Sequence, residues 1–153
     1  ILSQEQRYDF QGFEHRDALR LGLIILENYQ RRAEGKTEPK EIGIRIEMRD
    51  AVVFQYLMDK KKDDVWLCRK AHTVMMTGHS SLYVWVQHEK NGQYDELQKD
   101  ETYAVCGGGF PIFVGEELAG SICVSGLPHE EDHQLIVESL AEYMKQQKTV
   151  EYR

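Results

Sequence analysis

The sequence predicts an α+β sandwich built on an antiparallel sheet. Two hairpin patterns occur, at residues 42–58 and 112–125. Apolar stripes at helical spacing stand before, between and after them. The order helix, hairpin, helix, hairpin, helix places strands beside their sequence neighbours and leaves the helices to cover the sheet.

Each element has a local reason. Tyr8 to Phe13 alternates apolar and polar residues, the mark of a short strand or an extended arm. Ala18, Leu21, Gly22, Ile25, Leu26 and Tyr29 recur at three- and four-residue spacing, one face of a helix from about Arg16 to Glu34. Arg31 and Arg32 suit its last turn, and Gly35 is the C-cap candidate. Ile42, Ile44, Ile46 and Met48 alternate with small or charged residues, a strand with one buried face. Arg49-Asp50 is a tight turn into a second strand, Ala51 to Met58.

Val65 to Gly78 reads as helix. Leu82 to Val86 is rich in strand formers yet equally continues that helix beyond Gly78, and periodicity does not separate the two. Asn91-Gly92 is a turn, and Tyr94 to Thr102 a polar connection. Ile112 to Val114 and Leu118 to Ser125 form the second hairpin about Gly115-Glu116-Glu117. Pro128 to Gln147 is the closing amphipathic helix, with Leu135, Ile136, Leu140, Tyr143 and Met144 facing inward.

Length and charge bound the function. At 153 residues the chain has material for one core, so a single domain over 1–153 is expected. A net charge of −7 argues against nucleic-acid binding through a basic surface. No apolar run approaches the roughly 20 residues that span a bilayer, and no membrane partner is expected. Cys68, Cys106 and Cys123 are odd in number, far apart and free of any CxxC, which points to reduced thiols in a cytoplasmic protein. No basic stretch followed by an apolar one opens the chain, so no secretory signal is read.

Several motifs invite chemistry. Gly107-Gly108-Gly109 lacks the GK[ST] of a phosphate loop and precedes a strand, so it is neither a Walker loop nor a dinucleotide fingerprint. Two readings stand: a nest of amides for a carboxylate, or a tight turn ahead of the strand at Pro111. His129-Glu130-Glu131-Asp132-His133 matches HExxH formally, but it follows Pro128 at a helix start, where acidic residues suit the dipole, and no third ligand is apparent; no metal site is assigned. Ser80 or Ser81 restarts a helix after Gly78 as a cap, or lines a ligand pocket. His79 is the better candidate for chemistry, because a neutral imidazole ligates iron or carries a proton. Arg69 and Lys70 would attract an anion or pair with nearby carboxylates. No catalytic acid, base or nucleophile is assigned.

Trp66, Arg69-Lys70, His79-Ser80-Ser81, Gly107-Gly108-Gly109-Phe110-Pro111, Gly120-Ser121-Ile122-Cys123-Val124-Ser125-Gly126 and Glu131-Asp132 occur in an order that resembles the GlcG/HbpS-like, or heme-degrading domain, family. The likeness runs from Asp17-Ala18 and Leu21-Gly22 to the C-terminus, and it is to an uncharacterised cytosolic branch. The resemblance implies a profilin-like α/β/α sandwich with a roughly five-stranded antiparallel sheet, and a homo-oligomer. It implies one helix from about Asp64 to Glu89, bent near Gly78. It also implies a small planar or anionic ligand, heme among them. The ligand-binding residues expected on this basis are Lys70, His79, Ser80, Ser81, Gly107, Gly108, Gly109 and Pro111. A non-enzymatic assembly or adaptor protein is the alternative.

Overall fold

The computed structural model describes the backbone of residues 1–151 and side chains through residue 148. Helices α1 (Leu2–Arg7) and α2 (His15–Ala33) lead to the hairpin β1 (Gly43–Met48) and β2 (Ala51–Leu57). Then come α3 (Val65–Thr77), α4 (Ser81–Asn91) and the short α5 (Asp95–Lys99). The hairpin β3 (Gly109–Val114) and β4 (Glu117–Ser125) precedes the closing helix α6 (His129–Glu151).

The strands form one antiparallel sheet in the order β2-β1-β4-β3. The main core lies between this sheet and the pair α2 and α6. Ile44, Ile46 and Met48 of β1, Ile122 and Val124 of β4, and Phe110 and Ile112 of β3 meet Leu21, Ile25, Leu135, Ile136 and Leu140 there. α3 covers part of the opposite face, setting Leu67 and Ala71 against Cys123. The sandwich expected from the sequence is therefore present, with helices on both faces.

Three expectations are corrected. The sheet has four strands, not about five. Of the two readings of Tyr8–Phe13 the extended arm holds, since the segment makes one isolated bridge, Phe10 to Val114, outside the ladders. Phe10 and Phe13 both pack on Tyr143, with ring centroids 6.0 and 6.1 Å away. Side chains three apart on a strand point to opposite faces, so the chain leaves the sheet to bury both. Next, residues 64–89 form two helices instead of one bent helix. Gly78 takes a left-handed conformation (φ 72°) and donates its N–H to the Val74 carbonyl, ending α3. Ser80 then caps α4, its hydroxyl accepting the Tyr83 N–H at 3.2 Å. Lastly, α1 and α5 stand where no helix was expected. The ambiguous Leu82–Val86 segment is helical, and Arg49 and Asp50, both at positive φ, make the tight turn of the first hairpin.

Candidate functional site

The expected ligand residues fall into two neighbouring clusters. The first is built on the glycine loop. Lys70 lies on the inner face of α3, 3% exposed. Its Nζ donates to the Val124 carbonyl at 2.8 Å and to Asp132 Oδ2 at 3.1 Å. The other Asp132 oxygen accepts the Leu127 N–H at 3.1 Å. Burial pushes the Asp132 carboxyl up to about 6, against the Lys70 ammonium and the Leu127 amide, which pull it down. At neutral pH the pair is ionic and joins α3 to the first turn of α6.

The glycines let these elements meet. A Cβ on Gly108 (φ 121°) would lie 2.5 Å from the Val124 carbonyl oxygen and 2.6 Å from Lys70 Nζ. One on Gly107 would lie 2.4 Å from the His129 carbonyl oxygen. The Gly107 N–H donates to His129 Nδ1 at 2.9 Å, and the Gly109 N–H to Ser81 Oγ at 2.8 Å. Lys70, Ser81 and the three glycines thus form an internal hub whose polar groups are turned to one another. Pro111 follows in β3, buried opposite Ser121. Its strand is at the edge of the sheet, where a missing N–H is tolerated.

The second cluster sits at the α3–α4 junction. The carboxylate of Glu5, from α1, accepts the Ser80 N–H at 2.6 Å and meets His79 Nδ1 at 2.9 Å. A carboxylate only accepts, so Nδ1 carries the proton and a neutral His79 keeps its Nε2 lone pair free. The Tyr83 ring supports the imidazole from 4.2 Å. His79 lines a cavity of about 560 Å³ together with Leu2, Glu5, Gln6, Asp9, Phe113 and Glu116. A histidine oriented by a buried carboxylate is the arrangement that presents an imidazole to a metal or a proton.

The remaining motifs have structural partners. In the HExxH stretch, His129 Nδ1 is taken by Gly107 and His133 Nε2 by Gln4 Oε1, at 2.8 Å. Among the described residues no group of three ligating side chains could hold a metal ion. Arg69 donates to the Tyr103 carbonyl at 2.9 Å and lies over the Trp66 ring at 4.1 Å, outside both clusters. All three cysteines are free. Burial raises the Cys106 thiol and pushes Cys123 up to about 12, so neither is a ready thiolate.

Burial also lowers His133 to about 4. Between pH 4 and the ordinary 6.5 only the unfolded chain takes up this proton. The group's contribution to stability is therefore complete above 6.5 and is lost as pH falls toward 4. In an NMR ring titration His133 should stay neutral until about pH 4. Titration near 6.5 would mean that water reaches the ring.

Sequence reasoning missed Glu5, Gln4 and Asp132 as partners. For Asp132 a signal existed: it precedes Leu135 and Ile136 by three and four residues, on the inward face of its helix. Glu5 and Gln4 carried none, because nothing nearby in sequence marks which side chains they will meet.

Fold and site together define a small α+β protein, a four-stranded antiparallel sheet between helical layers with a carboxylate-held histidine beside a cavity. The family model described as Haem degrading protein HbpS-like matches residues 13–141, and the chain belongs to that family. It is 30% identical over 152 residues to a UPF0303 protein of Psychromonas ingrahamii, covering 95% of this chain and 91% of the relative. It is 34% identical over 152 residues to a UPF0303 protein of Rhizobium meliloti, covering 94% and 88%. Among solved structures, the Ybr137w protein superposes with a TM-score of 0.79 at 25% identity, over 96% of this chain and 87% of that one. A PduOC:heme complex superposes at 0.66 with 17% identity, over 85% and 94%, which is likeness of fold. Among the described residues no helix is long and apolar enough to cross a membrane.

Proposed function

We propose that the protein binds a small planar ligand in the His79 cavity, with heme the first ligand to test. The carrying observation is the Glu5–His79 pair, which engages Nδ1 while the ring lines a cavity of about 560 Å³, a volume within the usual range for small-molecule sites. The donor suits heme iron, and Leu2 and Phe113 supply apolar wall. Among the described residues no lysine or arginine lines the cavity, while Glu5, Asp9 and Glu116 do. The lining therefore favours the flat, metal-bearing part of such a ligand over its acidic groups. When bound, heme supplies redox chemistry. His79 would contact the ligand and Ser80 would hold Glu5. Lys70, Ser81, Gly107, Gly108, Gly109 and Pro111 would act from behind, fixing α3, α4 and β3 around the cavity. The family description supports the choice of heme.

Hemin titration of the purified protein should give a saturable, shifted Soret band. His79→Ala should weaken binding at least tenfold, or about 1.4 kcal/mol. No saturable band, or equal affinity in the variant, would remove heme from this site.

An assembly role is the second reading. The outer face of α3 exposes Trp66 at 47% and Met76 at 60%, with Val65 beside them. Such a face suits contact between copies in a homo-oligomer. Light scattering of the wild type and of Met76→Glu tests it, and a mass unaffected by the charge would rule this face out.

A further inference from the structure

α1 is six residues long, well below the length at which a helix is stable by itself in water. Glu5 is its sole buried residue, and Leu2 is exposed. Apolar anchoring begins beyond its end, where Tyr8 packs edge-on to Phe110 at 6.5 Å. The helix is held instead by two consecutive side chains, each meeting an imidazole, and the Glu5 carboxylate also accepts the Ser80 N–H at 2.6 Å. Gln4 Oε1 meets His133 Nε2 at 2.8 Å, and Glu5 Oε2 meets His79 Nδ1 at 2.9 Å.

α1 is also a wall of two cavities. Leu2, Glu5 and Gln6 face the His79 cavity. Ile1 and Gln4 face another of about 670 Å³, whose other walls include Leu82, Trp85 and His133. His133 is 2% exposed, and its Nδ1 is buried with no hydrogen-bond partner. A buried polar atom without a partner is uncommon and costly, so a fold that keeps one calls for a reason. The ring's hydrogen bond is to Gln4, on a six-residue helix whose one buried residue is Glu5.

We infer that α1 is a strap that lifts about Tyr8, uncovering His133 and joining the two cavities into one cleft for a flat ligand, with His79 and His133 both on it and Trp85 beside it. This rests on the proposed ligand reading for what enters the cleft. The strap itself is tested without ligand, so a failed hemin titration leaves the test intact.

Two readouts on the ligand-free protein decide. Hydrogen exchange followed by mass spectrometry should show the amides of residues 5–8 exchanging at least about a hundredfold faster than those of the β1–β4 pairing, as expected for a locally opening segment. Diethylpyrocarbonate should modify His133 slowly in the wild type, with the exposed His15 as the internal reference. Gln4→Ala removes one hydrogen bond of about 1 kcal/mol, so both α1 exchange and His133 modification should rise about fivefold. A parallel rise supports the strap. Protection of residues 5–8 equal to that of the sheet overturns it. So does His133 modification that rises in Gln4→Ala without faster exchange in α1, since that is unmasking by truncation alone.

Discussion

Lys70→Met is expected to destabilise the protein by about 3–5 kcal/mol at pH 8, the usual cost of removing one partner from a buried ion pair. Methionine fills much of the same space, so the loss is electrostatic. Asp132, 1% exposed, would remain buried with the Leu127 amide as its hydrogen-bond donor and only the more distant Lys61 charge beside it. The effect has a pH signature. Asp132 already titrates at about 6 in the folded protein, above its ordinary 3.8. A folded pKa above the unfolded one means the folded state takes up the proton first. The stability this lends is complete below the unfolded value and is lost as pH rises through the folded one. Without the ammonium the folded value moves higher still, so acid relieves the variant more than the wild type. Urea denaturation at pH 8 and pH 5 should show a smaller loss at pH 5. Adding Asp132→Asn, which keeps an acceptor for the Leu127 amide, should recover more than half of the loss at pH 8. A loss below about 1 kcal/mol at pH 8 would show that the pair contributes no more than an exposed one.

Gly108→Val should cost a similar amount, about 3–5 kcal/mol, from two sources. A side chain at φ 121° occupies a region that is nearly reserved for glycine, at about 1–3 kcal/mol. The Cβ would also lie 2.5 Å from a backbone oxygen of β4 and 2.6 Å from Lys70 Nζ, and overpacking of that kind adds about 1–3 kcal/mol. Gly115→Ala separates the two. Gly115 also has positive φ (61°), but nothing lies within 4 Å of its Cβ position, so only the conformational cost of about 1–2 kcal/mol applies. Thermal unfolding of both variants should rank Gly108→Val well below Gly115→Ala. Equal loss would show that the hub tolerates a side chain.

The two variants probe the part of the candidate site that was least legible beforehand. The residues themselves were readable: Lys70, His79, Ser80, Ser81, the three glycines and Pro111 stood out as a set, and the structure does bring Lys70, Ser81 and the glycines together. Their directions were not readable. Lys70 sits beside Ala71, on a helix whose broad faces left its orientation open, and it turns inward because Asp132 awaits it from an element 62 residues later. His79 takes its orientation from Glu5, 74 residues earlier, and His133 meets Gln4, 129 residues earlier.

The sequence by itself determined the type and order of most elements, the inward faces of α2, β1 and α6, and the turn at Asn91-Gly92. Each of these follows from interactions within a few residues: side-chain periodicity, caps, and backbone conformations that glycine alone enters without strain. Tertiary structure alone decided that residues 8–13 would be an arm instead of a fifth strand, that α1 would form at all, and which polar groups would meet. Those outcomes depend on pairings between distant segments. A short helix or a buried charge becomes favourable only once a partner from elsewhere in the chain satisfies it.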